Sequence, residues 1–416
     1  MDADEKASWW RNRRWAQAPA PAPEPAPAPS PAPAPAPSSD AGADPDVVVD
    51  DGSSVSVEAT AAGTIYYTST SGSDSNAGTQ SRPFRTISNA VRKLKPGDTL
   101  LVGPGVYAES SYLTIPSGSS WQAPVTIKAL DPNNRPVMRP SSSAVRVLDF
   151  MNQQYIVVDG FVLDASSVQY DAVKFSAGAR YIRLKNSEVR GAPQQGIMIS
   201  GASNLELLNL DVHDNGTSDF THGIYVSGSY VTIDGSRIYR NAGWGVQVYA
   251  EGSTSLRDNV VRNSHVYDNA RVGGRGVGII LSSGSGHKAY NNVVRGNNVG
   301  ISVNYGASNV AVFNNTVVGN RGEYAIYVGQ SQNASVRNNI VWQNSGNQIL
   351  NQGSGTVLSK NLVGADPKFM SGGDVRLQTG SPAVDTGDAT GIASTDILGA
   401  KRPTGAGPDI GAYESH

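Results

Sequence analysis

The sequence predicts an all-β protein, a right-handed parallel β-helix with a short N-terminal capping helix, and three observations carry that prediction. From Tyr155 onward a repeat is explicit: similar strands end in asparagines at 215, 241, 269, 297, 320 and 344, separated by 26, 28, 28, 23 and 24 residues. Self-similarity at a period of roughly 20–50 residues is the signature of a solenoid. The repeats consist of short strands joined by Gly, Asn and Ser turns, and the 416 residues include 46 glycines. Charged residues make up only 16% of the chain, against about 25% in ordinary domains, which argues against long charged helices. Leucine-rich repeats fit worse, because no LxxLxL signature or helical segment recurs. Each solenoid repeat contacts only its neighbours, so a single body of this kind can exceed the usual domain length.

Taken in order, residues 1–63 read as a disordered tail. It opens on MDADEKASWWRNRRWAQA, which lacks the apolar core of a signal peptide. The Trp9, Trp10, Arg11, Arg13, Arg14 and Trp15 cluster belongs to this tail, with contact to membranes or glycans as the alternative reading. Residues 16–46 form an Ala-Pro tract, expected to be an extended polyproline-II spacer rising ~3.1 Å per residue. The β-helix with its cap is expected over 64–359. TIYYTST reads as a strand, RTISNAVRKL as an amphipathic helix with Ile87, Ala90, Val91 and Leu94 on one face, and TLLVGPGVY as the start of the next strand. A helix placed before a solenoid covers the open end of its core.

In the repeats, strict alternation assigns the faces. In GIYVS and its relatives the inward pairs are Ile197/Ile199, Ile224/Val226, Val246/Val248, Val277/Ile279, Ile301/Val303 and Ile326/Val328. One outward column then reads Met198, Tyr225, Gln247, Gly278, Ser302, Tyr327; the next reads Ser200, Ser227, Tyr249, Ile280, Asn304, Gly329. The second strand turns Val189, Val212, Ile238, Val266, Val294, Val317 and Val341 inward. Its outward columns begin with Glu188, Asp211, Arg237 and His265 and with Arg190, His213, Tyr239 and Tyr267, then lose polarity toward Val293, Thr316, Ile340, Val318 and Trp342. A scaffold alone does not require such a gradient. The asparagine column reads as structural, since Asn tolerates the left-handed corner and stacked amides can bond in ladders.

The connections NGTSDFTHG and NARVGGRG are longer than the NAGWG between them, which predicts a trough over the middle coil. His213, His222, Tyr225, Tyr239, Arg240 and Tyr249 are the candidate catalytic set; Asp211, Asp214, Trp244, Gln247, Arg275 and Asn304 are candidate substrate-binding residues. Aromatic and cationic walls suit an extended acidic polysaccharide. β-Elimination needs the uronate carboxylate neutralised, which Arg240 or Arg275 could do. It also needs a base for the C5 proton, His213 or His222, and an acid for the leaving O4, Tyr225, Tyr239 or Tyr249. Two further classes remain open. Asp214 and Asp268 lie two coils apart, about 9.6 Å, close to the ~6.5–9.5 Å of inverting glycosidases. A non-catalytic, glycan-binding surface protein is the other. A net charge of −2 gives no sign of nucleic-acid binding, zero cysteines exclude disulfides and thiolate chemistry, and no 18-residue apolar run predicts a membrane-spanning helix.

The N-terminal segment GTIYYTSTSGSDSNAGTQSRPFRTISNAVRKLKPGDTLLVGPGVYAE and the repeats resemble the family 9 pectate lyases over most of residues 64–350. That resemblance implies a site of calcium-binding aspartates with a lysine base. The matching coils instead carry Arg275, Gly276, Ile280 and Asn298 in those places, so no metal site and no cofactor is expected; calcium is the alternative, which the sequence does not support. The DVHD at Asp211–Asp214 is similar to the DPHD motif of mannuronan C5-epimerases, which with several alginate lyases use a His/Tyr/Arg set; epimerisation is therefore an alternative. Residues 360–416, with DPKF, GSPAVDTG, RP and PDIGAYE, resemble the choice-of-anchor Q module of bacterial surface and secreted proteins. This implies a secreted or cell-surface location. Asp366, Asp385 and Asp409 read there as turn-stabilising residues, with calcium binding as the alternative. A monomer is expected, with an acidic polysaccharide as its partner.

Overall fold

The computed structural model describes residues 63–109, 114–141, 144–252, 255–274 and 276–415. The N-terminal tail and Arg275 lie outside the described residues. Within them the chain winds into a parallel β-solenoid of about 10 turns with almost no helix.

Each full coil has three faces. The first carries strands such as Gln154–Asp159, Arg180–Lys185 and Val260–Arg262; the second Glu188–Arg190, Asp211–His213, Arg237–Tyr239 and His265–Tyr267. The third carries Leu148–Phe150, Val173–Ser176, Val246–Val248, Val277–Ser282, Val299–Asn304 and Tyr324–Val328. The strands Ile197–Leu208 and Ile224–Asp234 run around the corner from third face to first, joining these two faces into one 19-stranded sheet; the second face is a separate 11-stranded sheet. Inward side chains from all three faces form one continuous core of fully buried Val, Ile, Leu and Phe.

The cap is as expected. The helix α1 (Ile87–Val91) buries Ile87, Ala90 and Val91, and the Thr86 side chain accepts a hydrogen bond from the Asn89 amide. The Glu109 carboxylate accepts from the Ile87 and Ser88 amides at 2.5 and 2.6 Å, satisfying two helix-start donors.

The Asn column is a hydrogen-bonded ladder. Nδ2 of Asn215, Asn241, Asn269, Asn297 and Asn320 each donates to Oδ1 of the asparagine one coil on, at 3.1, 2.9, 3.1, 3.3 and 2.9 Å. A second ladder, not recognised in the sequence, stands at the corner between first and second faces. There Asn292, Asn315 and Asn339 donate to Asn315, Asn339 and Asn361 at 3.0, 2.9 and 2.9 Å. Ser236 and Ser264 continue it toward the N-terminus, so its polar thread changes residue type and escapes a search for repeated Asn.

On the third face Val246 pairs with Ile279 and Gln247 with Ile280. The outward column is therefore Asp149, Lys174, Met198, Tyr225, Gln247, Ile280, Ser302, Tyr327. Gly278 does not belong to it, and Ile280 does not stand beside Tyr249. The strand Val277–Ser282 starts two residues earlier than Val246–Val248 and level with Val299–Asn304. Because a two-residue offset keeps the pleat parity, inward and outward were still told apart.

The loss of polarity along the second face has a structural cause. Its outward residues Val293, Thr316 and Ile340 are at most 1% exposed, because the C-terminal segment lies over these coils. Ala383 and Ile410 pack on Ile340, and the Ala412 amide donates to Thr316 Oγ1 at 3.1 Å. The same segment runs along the left-handed corner asparagines: Asn291, Asn314 and Asn338 donate to the carbonyls of Thr395, Asp409 and Asp388 at 2.8, 3.0 and 2.8 Å. Its motif residues are occupied internally. The fully buried Arg402 donates to the Asp409 and Gly411 carbonyls and lies 3.4 Å from Glu414. Asp366, Asp385 and Asp409 accept backbone amides of Lys368, Gly407, Asp385 and Ser415.

Candidate functional site

The predicted residues fall into two groups, on different faces. His213, Tyr239 and Arg240 belong to the second face; Tyr225, Gln247 and the flanking His222, Trp244 and Tyr249 belong to the third. The corner bearing Asn215 and Asn241 separates them. The expected trough over that corner is filled. Gly243 donates to the Thr221 carbonyl and Val272 to the Ala242 carbonyl. A Cβ added at Gly273 would lie 3.0 Å from Cβ of Asp219. The long loops thus meet over the short turn instead of walling an open channel.

The second-face group is a stacked, ion-paired ladder. His213 stacks on Tyr239 and Tyr239 on Tyr267, both with 4.8 Å between ring centroids, and Arg240 lies 4.8 Å over Tyr239. His213 is held from both ring nitrogens, Nδ1 to Asp214 at 2.8 Å and Nε2 to Glu188 at 3.3 Å. Burial opposes its charge, but the bonds to Glu188 and Asp214 outweigh burial and raise its pKa. With both ring nitrogens engaged by carboxylates, neither is free to receive a C5 proton, so neither the lyase base nor the epimerase DVHD role fits His213. Arg240 grips Asp214 at 3.0 and 2.5 Å, and that bond chiefly holds the carboxyl down at about 2. Asp268 is paired with Arg321 at 2.7 Å. An Asp214 kept ionised by its arginine cannot serve as a glycosidase general acid, so the Asp214/Asp268 hydrolase is not supported. Asp211 is likewise bound to Arg237, at 2.5 and 2.7 Å.

On the third face His222 is also a framework residue. It is 4% exposed, and its Nδ1 accepts the Trp244 amide at 3.0 Å, which places the neutral-state proton on Nε2. Burial pushes its pKa down to about 3. Its ring lies between Trp244 and Tyr225, with centroids at 5.1 and 6.0 Å. It therefore orients these aromatics and cannot act as the base. A folded-state pKa below the unfolded value near 6.5 means that the stabilisation is complete above pH 6.5 and is lost as pH falls toward 3. His222→Asn should flatten the pH dependence of the urea midpoint across that window, with a slope change of up to about 1.4 kcal/mol per pH unit. An unchanged slope would locate the titration elsewhere. Asn304 is buried, and its Oδ1 accepts the Gln330 amide at 2.9 Å, so it is unavailable as a ligand. Tyr225 stays half-buried with its hydroxyl pushed up to about 12, chiefly by burial, then by Tyr249 and Glu251.

The chemistry missed in the sequence lies at the N-terminal end of the third face's outward column. Asp149 and Lys174 are register partners on adjacent coils, about 4.8 Å apart along the solenoid. Asp149 Oδ2 lies 3.1 Å from Arg146, whose Nε lies 3.2 Å from the buried Asp171. Asp149 Oδ1 has no hydrogen-bond partner, and burial raises its pKa against the opposing pull of Arg146 and Lys174. Among the described residues the half-buried Lys174 makes no hydrogen bond or ion pair. Tyr170, 43% exposed, stands 5.7 Å from the Arg146 guanidinium. The donor set does not fit calcium: Arg146 already occupies the space between Asp149 and Asp171, and Asp171 Oδ1 accepts the Gln195 amide at 3.1 Å.

Residues 66–339 match the family described as Pel9A-like, right handed beta helix region. Among solved structures the chain is similar to pectate lyase Pel9A, at 20% identity and a TM-score of 0.67, covering 85% of this chain and 96% of that one. It is also similar to XylC in complex with xylose, at 13% identity and a TM-score of 0.54, covering 67% and 69%. These likenesses show the fold. A curated relative, the uncharacterized protein YwoF of Bacillus subtilis (strain 168), is 24% identical over 139 residues, 31% of this chain and 29% of that protein. The chain thus matches under a third of that relative's length. With most of its coils inside the family match, the chain belongs to the Pel9A-like right-handed β-helix family.

Proposed function

We propose that the protein cleaves an acidic, uronate-containing polysaccharide by β-elimination on the third face, outside the cell or at its surface. One observation carries this reading: an unpaired ammonium, Lys174, one coil from a desolvated carboxylate, Asp149, whose Oδ1 is unpartnered and shielded from solvent. For Asp149 to take the C5 proton, its side chain must first turn the buried Oδ1 outward. Lys174 faces the uronate carboxylate and offsets the charge that develops on it as C5 becomes carbanionic. The C4–O4 bond then breaks, the C4=C5 double bond forms, and the leaving oxygen is protonated from solvent. Arg146 holds the second oxygen of Asp149, fixing the base without neutralising its free one. Further along the third face, Tyr225, Trp244 and Tyr249 offer ring faces to the neighbouring sugars. The Pel9A-like scaffold agrees with this reading.

The test is ultraviolet absorbance of the unsaturated uronate product on a panel of uronate polymers, with and without chelator. A rise that survives chelator and disappears in Lys174→Ala is expected. New reducing ends without absorbance would mean hydrolysis, and binding without turnover would leave a glycan-binding protein.

A further inference from the structure

The corner between third and first faces holds a depression of 360 Å³, lined by Ser203, Ser227, Ser229, Ser255 and small or apolar residues. Two departures from regular coiling create it. The register of neighbouring coils shifts between Ser200 and Ser203, so that Ser200 pairs with Ser227 and Ser203 with Ser229. A bulge of this kind re-aims the chain and is common beside active sites. On the next coil Ala250, Ser255 and Leu256, which lie between the strands Val246–Val248 and Val260–Arg262, form the far wall. The depression borders the third face's outward side: Ser227 is outward there, two residues beyond Tyr225 and one coil before Tyr249.

The lining is uncharged. Ser203 and Ser229 each accept a bond, from Asn204 Nδ2 at 3.1 Å and the Arg257 amide at 3.0 Å, and each keeps its own proton to donate. Among the described residues the Ser227 hydroxyl has no partner. Of the charges beside the depression, Arg257 turns back onto the Leu256 carbonyl at 3.0 Å, while Glu251 is exposed and acidic. Hydroxyls beside an adjacent tyrosine ring, with no charged side chain in the lining, suit an uncharged sugar.

We propose that this depression is a subsite for a neutral sugar residue, so that the preferred substrate is a mixed polysaccharide carrying uncharged sugars beside its uronates. The substrate assignment rests on the elimination reading above. Tyr225 stands two coils from Lys174 in the outward column, about 9.6 Å, which places the neutral sugar close along the chain from the bond that breaks.

The test fills the cavity with Ser227→Phe, after confirming its melting temperature. The ratio of kcat/KM on a mixed polymer (uronate with neutral sugar) to that on a pure uronate polymer should fall at least tenfold. An unchanged ratio would overturn the subsite. Binding is measured separately, by calorimetry with xylotriose, galactotriose and arabinotriose on Asp149→Asn protein. Affinity for one of them that Ser227→Phe weakens at least tenfold supports the subsite even if no polymer is cleaved. Elimination activity without trisaccharide binding overturns the subsite and leaves the lyase standing.

Discussion

Asp149→Asn is expected to lower turnover of the best uronate polymer by about 10²–10⁴-fold, the range for removing a positioned general base. The substitution keeps the size of the side chain and an oxygen for Arg146, so KM and thermal stability should change little. Lys174→Ala should instead raise KM as well as lower kcat, because the ammonium meets the substrate carboxylate before and during the reaction. Asp149 works as the base in its ionised form, and burial raises its pKa. The acid limb of the kcat/KM profile should therefore lie above the ordinary carboxylate range, with activity gained as pH rises through it. Retention of more than a tenth of wild-type turnover by Asp149→Asn would remove it as the base.

The largest stability effect should come from the Asn ladder, at Asn269→Ala. The Asn269 amide donates to the Ile238 and Tyr267 carbonyls and to Asn297 Oδ1, at 2.9, 3.2 and 3.1 Å, while its Oδ1 accepts from the Asn241 amide and Nδ2 at 3.2 and 2.9 Å. Alanine leaves several of these buried groups unsatisfied, at about 1–3 kcal/mol each before relaxation. A net loss of about 3 kcal/mol or more is expected, read from the denaturant midpoint at constant m. Asn333→Gly is the control. Asn333 is exposed and has φ +53°, a corner geometry that glycine adopts freely. Its cost should stay within about 0.5 kcal/mol. Asn269 itself is not in the left-handed conformation, which falls to Asp268 (φ +52°), so equal losses at both positions would show that the amide ladder contributes nothing special to stability.

Much of the architecture was legible because it is written in local periods. Alternation separated Ile224 and Val226 from Tyr225, and the spacing of Asn215, Asn241 and Asn269 counted coils. The site was harder to read. Asp149 and Lys174 lie in coils that precede the Asn column and lack the Gly that opens later third-face strands, so no repeat motif drew attention to them. His213 and His222 stood out by residue type, but whether their lone pairs are free depends on Glu188 one coil away and on the Trp244 amide. The uncharged outward residues Thr316 and Ile340 looked like a functional gradient because their cover, Ala412 and Ile410, is some seventy to a hundred positions distant in sequence.

That cover bears on how the molecule comes apart. A one-dimensional array frays from its ends, each coil released costing only its contact with one neighbour. Here the final rungs expose Val357, Leu358 and Val363, an evident place for fraying to begin. The C-terminal segment, however, is fastened to Asn291, Asn314 and Asn338 on three successive coils. Loss of the last rung cannot propagate inward through those coils until the lateral fastenings also yield. The segment thus works as a splint: it couples coils that would otherwise melt one at a time, and gives the exposed end of the array the cooperativity of a closed one.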